Sequence, residues 1–255
     1  MNWIPTETGV RIVGGLAFLF ILYSVWMGQM SAKGLPDGYT NPVLALELVK
    51  RGADIEQIFE AKEAKECDVR EFLATSTHKD FGYILVYAIF FVALGLLLSR
   101  MNFSWAGWVG WLAAACAVVA AVLDVIEDLG MLKAINGQAS NSLANSIRYP
   151  SLAKRSFLFV FSLLVGLLLI ARRDLFVIPA VCFLLAALLG LIGVISNLLQ
   201  PKFYLVFPAA LGLMGLGVII LSVAFTSLPK NFLPGFPHLH LDKSSRARAS
   251  GPAAK

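Results

Sequence analysis

Histidine, cysteine and charge are all scarce in this chain, and each shortage removes a class of chemistry. Only three histidines occur, and two of them, His238 and His240, follow the last apolar run. A zinc centre built from several imidazoles is therefore not expected, and no metal ligand set is assigned. The three cysteines, Cys67, Cys116 and Cys182, lie far apart and form no CxxC. No disulfide framework follows, and Cys116 and Cys182 sit within apolar runs as small hydrophobes. No GxSxG, HExxH, P-loop or GxGxxG is present, so no cofactor is read and an enzyme is the weaker reading. Basic residues are too few, and too closely tied to the ends of apolar runs, for nucleic-acid binding.

Charged residues make up 15% of the 255 positions and apolar ones 58%, against roughly 25% and 45–50% in soluble domains. The apolar excess is gathered into runs of about twenty residues, enough to cross a ~30 Å hydrocarbon layer as a helix. Six spans are expected, at 10–28, 81–99, 106–130, 156–171, 175–198 and 203–226. The fold class is thus an all-α integral membrane protein: a four-span core over 1–172, a C-terminal helix pair over 173–228, and a disordered basic tail over 229–255. Span 1 resembles a signal peptide, but its apolar stretch is long and "GQMSAKG" is only a fair cleavage site, so it reads as an anchor.

The one sizeable polar segment, 29–80, is expected to be helical and extramembrane over 41–77. Asn41 followed by Pro42 reads as an N-cap with proline at the first helical position. A short helix over 42–50 stops at Gly52, and a longer one follows from Ala53, with Asp54 and Gln57 resembling a capping box. This second helix is too polar to span; it lies on the membrane, caps the bundle, or belongs to a solvated helical hairpin that links spans 1 and 2. An even number of spans puts both termini on one side. The two sides are nearly tied in Lys and Arg, because 29–80 holds seven of them among ten acids. The basic tail and "ARR" place the termini in the cytoplasm of a multi-pass cell-membrane protein.

Carboxylates appear where span 3 ends. "WAGWVGWLAAACAVVA" has no charge, yet "AVLDVIEDLGMLK" carries Asp124, Glu127 and Asp128. If span 3 enters lipid near Gly107, Asp124 lies about 17 residues, or ~26 Å, along it. Asp124 is then a turn short of the far interface, with Glu127 and Asp128 at the headgroups. The three share one helical face, which continues as the small residues Ala113, Ala117 and Ala120, a seam for close packing. Alternating directions bring the start of span 2 (His78, Asp80, Tyr83, Tyr87), the start of span 4 (Arg148, Tyr149, Lys154, Arg155) and Glu47 to the same end. Lys154 and Arg155 are the natural counterions. The small residues Cys182, Ala186, Gly190 and Gly193 of span 5, with Gly212 and Gly215 of span 6, read as packing only. Two accounts of the acids stay open: interfacial anchoring, or a functional polar site centred on Asp124.

The order "NPVLALELVKRGADIEQIF", "HKDFGYILVYAIFF", "VVAAVLDVIEDLGMLKAI", "AKRSFLFVFSLLVGLLL" resembles a family of uncharacterised bacterial multi-pass membrane proteins whose spans include a D-x-x-E-N motif. Glu47, Asp80, Phe81, Asp124, Glu127 and Lys154 occupy the matching positions over roughly 1–170. Asp128 stands where that pattern has Asn. The resemblance implies no activity. Three functions follow as expectations: a protein that binds or transports a small amphiphile or lipid headgroup, a structural subunit docked on another membrane protein with the cluster as a salt-bridge lock, or a lipid-modifying enzyme.

Overall fold

The computed structural model describes residues 6–27, 31–36, 39–63, 68–101, 103–171, 176–199 and 206–227. Cys67, Asn102, Arg172, Arg173, Pro201, Lys202 and the tail lie outside them.

Six helices are long and apolar enough to cross a bilayer: α1 (Thr6–Met27), α4 (Val69–Leu98), α5 (Ala106–Ile135), α6 (Asn141–Ala171), α7 (Val177–Leu199) and α8 (Val206–Ser227). Each of α4 to α8 packs against its sequence neighbour, α1 packs on α4, and α8 returns against α1. The result is a closed ring of six helices. The C-terminal pair completes it: Ser222 of α8 donates to the Gly14 carbonyl of α1 over 3.3 Å, and Met214, Val218, Leu221 and Phe225 share one apolar core with Val10, Val13 and Ala17. Lipid would meet the outer face, where Phe18, Leu22, Leu85, Leu188 and Ile195 are exposed.

The small-residue seam on span 3 is real. Ala113, Ala117 and Ala120 are fully buried. At the α4–α5 crossing a Cβ on Gly110 would lie 2.6 Å from the carbonyl oxygen of Gly95, and a Cβ on Gly95 would lie 2.9 Å from the backbone of Gly110 and Ala114. Only glycine allows backbones this close, which matters where lipid offers no hydrophobic drive to bring helices together. Cys116 and Cys182 are free and buried.

Between α1 and α4 lie α2 (Pro42–Glu47), α3 (Gly52–Glu60) and a two-residue ribbon that pairs β1 (Ala32–Lys33) with β2 (Lys62–Glu63). Asn41 caps α2 as its sequence requires, its side chain accepting from Val43 and Leu44 N–H groups, with Pro42 in the first turn. Two expectations fail here. The helix after Gly52 is not continuous, because it stops at Glu60 and the remainder belongs to α4, which Asp68 starts by accepting from Arg70 N–H. Asp54 is the third residue of α3 rather than its cap, and its carboxylate accepts from Arg51 N–H.

The stretch 131–155 is likewise not a loop. α5 runs on to Ile135, five residues turn the chain, and α6 begins at Asn141 with Pro150 inside it. Helices of 30 residues are about 45 Å long at about 1.5 Å per residue, longer than the ~30 Å apolar layer. Their ends extend past the spanning zone and meet α2 and α3. Gly52 N–H donates to Asn141 Oδ1 over 2.8 Å, and the Arg70 guanidinium lies over the Phe59 ring at 4.2 Å and donates to the Ile135 carbonyl. A second apolar core forms there from Leu46, Ile55, Ile58, Leu73, Met131, Ile147 and Leu152. The 29–80 segment is therefore a cap packed on the bundle, not a surface-lying helix.

Candidate functional site

A charged layer separates the two cores. Along α4 the apolar contacts pass from Leu73 in the cap to Ile84 in the bundle and along α5 from Met131 to Ala120, while on α6 Leu158 packs in the bundle core and Phe159 still in that of the cap. Asp80, the acidic trio of α5, and Lys154 with Arg155 occupy the interval. Helical spacing puts them there: Thr77, Asp80, Tyr87 and Phe91 fall on one stripe of α4, and Asp124, Glu127 and Asp128 on one stripe of α5.

The carboxylates of α5 are buried within the protein. Glu127 is 0% exposed, Asp128 1% and Asp124 4%, with Lys154 at 7% and Arg155 at 4%. Glu127 and Asp128 are thus enclosed by protein rather than open to the surface, as side chains that only mark the end of a span would be. Charges buried in this way are costly unless paired, and the pairing is extensive. Lys154 contacts Asp124 Oδ1 directly, lies 2.7 Å from Glu127 Oε2 and 3.6 Å from Glu47 Oε1. The Glu127 contact is an ion pair without hydrogen-bond alignment, and neither of its oxygens gains a hydrogen bond. Arg155, one position on, points to a different wall. It bonds Glu47 of the cap and donates to Ser151 Oγ over 2.6 Å, and its guanidinium lies 4.9 Å from the ring centre of Phe207 on α8. Tyr87 donates to Asp124 Oδ2 over 2.7 Å. Burial raises the affinity of the Glu47 carboxyl for protons, but the charges of Arg155 and Lys154 outweigh it and hold its pKa below the usual value of 4.5.

A cavity of about 480 Å³ reaches this layer from within the ring. Its polar lining is Glu47, Asp80, Asp124, Lys154 and Arg155, and its apolar walls include Phe20, Phe91, Leu158, Met214 and, from the cap, Val43 and Leu44. Glu47, Asp80, Tyr83, Asp124, Lys154 and Arg155 all line it, while Glu127 and Asp128 lie behind, buried. Tyr83 accepts from Ser24 Oγ at 3.3 Å. His78 does not join the group: it is exposed, because it stands two residues from Asp80 and so on the opposite side of the helix. Arg148 is also elsewhere, donating to the Asn197 carbonyl at the end of α7 over 3.1 Å.

Sequence reasoning missed the part played by the last span. Phe207, Pro208, Leu211 and Gly212 of α8 line the cavity. Gly212 and Gly215, expected to serve packing, have no heavy atom within 4 Å of where a Cβ would stand. Of the two, Gly212 is in the cavity lining and Gly215 is not, so the glycine pattern by itself gave no signal of the site. Comparison with family models, with curated proteins and with solved structures returns no match.

Proposed function

We propose that the protein binds a small amphiphile, such as a lipid with a polar headgroup, within the helix ring and presents it for transfer or transport. The observation that carries this reading is the mixed lining of the cavity: carboxylates with Lys154 and Arg155 stand beside the apolar walls of Phe20, Phe91, Leu158 and Leu211. Its size falls within the range typical of ligand pockets, roughly 300–1,000 Å³. A headgroup bearing both signs of charge would find partners for each, and an acyl chain would lie against the apolar walls. The cap formed by α2 and α3 closes over the polar lining through Glu47. In this reading the chain is a cell-membrane protein whose termini face the cytoplasm, so the site opens towards the outer side.

One observation favours a second reading. Lys154 already meets Asp124, Glu127 and Glu47, as a salt-bridge lock in a structural or assembly subunit would. Asp124→Asn and Lys154→Gln, singly and together, separate the two when melting in detergent is followed beside native mass spectrometry. Under the binding reading the single variants lose a co-purified amphiphile, and the double variant does not regain it. If the double variant restores stability and wild type carries no amphiphile, the lock is the function.

A further inference from the structure

We propose that Asp80, Asp124 and Asp128 form a binding site for one divalent cation at the base of the cavity. One carboxylate oxygen of each lies within 4.8 Å of the others. That spacing lets all three reach a single ion with small side-chain rotations. The donor set is all oxygen and all carboxylate, which selects a hard cation of the calcium, magnesium or manganese class over zinc or copper.

Three acids in proximity are not a site by themselves, but the pairing around them leaves a defined gap. Lys154 and Arg155 are engaged by Asp124, Glu127 and Glu47. Asp80 and Asp128 pair with neither. Asp128 is 1% exposed, and its Oδ2 has no hydrogen-bond partner among the described residues, although it faces two further carboxylates. A buried carboxylate oxygen with no partner is expensive, and a bound cation supplies what is missing. Five carboxylates otherwise face two basic side chains, and a divalent ion removes most of that excess.

The surroundings suit an ion. Tyr87 donates to Asp124 Oδ2 over 2.7 Å and so orients that carboxylate, as outer partners of metal ligands do. Asp80 and Asp124 line the cavity, which gives the ion a way in and leaves room for water on its open side, as magnesium and calcium retain. This assignment does not depend on an amphiphile occupying the cavity.

Manganese is the probe, because the free ion has a strong paramagnetic resonance signal that disappears on binding. The full-length protein in detergent, stripped with chelator, is titrated with manganese chloride at neutral pH. One equivalent should bind. Asp128→Asn and Asp80→Asn should each weaken binding by about tenfold or more, whereas Glu71→Gln, on the exposed first turn of α4, should not change it. If Asp128→Asn fails to fold, Asp80→Asn alone decides. Absence of binding in wild type, or binding that both Asp variants retain at full strength, overturns the proposal.

Discussion

The ammonium group of Lys154 lies 2.7 Å from Oε2 of Glu127, a carboxylate with no exposed surface. The pair joins α6 to α5 at the level where the bundle core gives way to the cap core. Removing one member of a buried pair strands the other, at a cost of ~3–5 kcal/mol. Lys154→Gln should therefore lower the melting temperature in detergent by at least about 6 °C, at about 2–4 °C per kcal/mol. Glu127→Gln combined with Lys154→Gln should lose less than the two single effects added, because the double change leaves one charge fewer unpaired. Additive losses would mean that the two residues do not interact.

Glu47 ties the cap to the bundle through Arg155 and Lys154, and its pKa is held below 4.5. A carboxyl with a lowered folded pKa contributes stability that is fully present above the unfolded value and is lost as pH falls through the folded one. Wild type should thus melt higher than Glu47→Gln at neutral pH, and the gap should shrink as pH falls below 4.5. Melting curves of both proteins across the acid range read this directly. A gap that widens towards acid would reverse the assigned sign.

The hydrogen bond from Tyr87 to Asp124 ends on a charged acceptor, where such bonds contribute about 1.5–3 kcal/mol. Tyr87→Phe keeps the ring and deletes only the hydroxyl. It should lower the melting temperature by at least about 3 °C and leave the helix content measured by circular dichroism unchanged.

Glycine at the α4–α5 crossing is tested by a matched pair. A Cβ on Gly110 would stand 2.6 Å from the Gly95 carbonyl oxygen, whereas a Cβ on Gly15 meets nothing within 4 Å. Gly110→Ala should destabilise through forced separation of the backbones. Gly15→Ala should be neutral or stabilising by up to ~1 kcal/mol, as expected for alanine in an open helix position. Detergent melting compares the two.

Much of this was legible in the sequence, for identifiable reasons. The spans were readable because charge-free runs of bilayer length have few other uses, and Asn41 with Pro42 fixed the start of α2. The meeting of Glu47, Asp80, Asp124, Lys154 and Arg155 followed from alternating helix directions alone. The extensions of α5 and α6 were not readable, because "NGQASNSLANSIRYP" is rich in turn-forming residues and only packing against α2 and α3 makes most of it helical. The burial of Glu127 and Asp128 was hidden for the same reason, since depth counted along one helix takes no account of a cap. His78 was misplaced by proximity in sequence, where the helical period sets it opposite Asp80.

Occupancy of the cavity by an amphiphile is read out at Gly212. It is an exposed residue on the lining of the cavity, and no heavy atom lies within 4 Å of its missing Cβ, so the ring of Gly212→Phe can occupy the cavity mouth without displacing a helix. Native mass spectrometry of the full-length protein, released from detergent, compares wild type with Gly212→Phe. Wild type should carry a lipid-sized adduct that is lost from Gly212→Phe while its melting temperature holds. Wild type without an adduct, or the same adduct retained on Gly212→Phe, would contradict it.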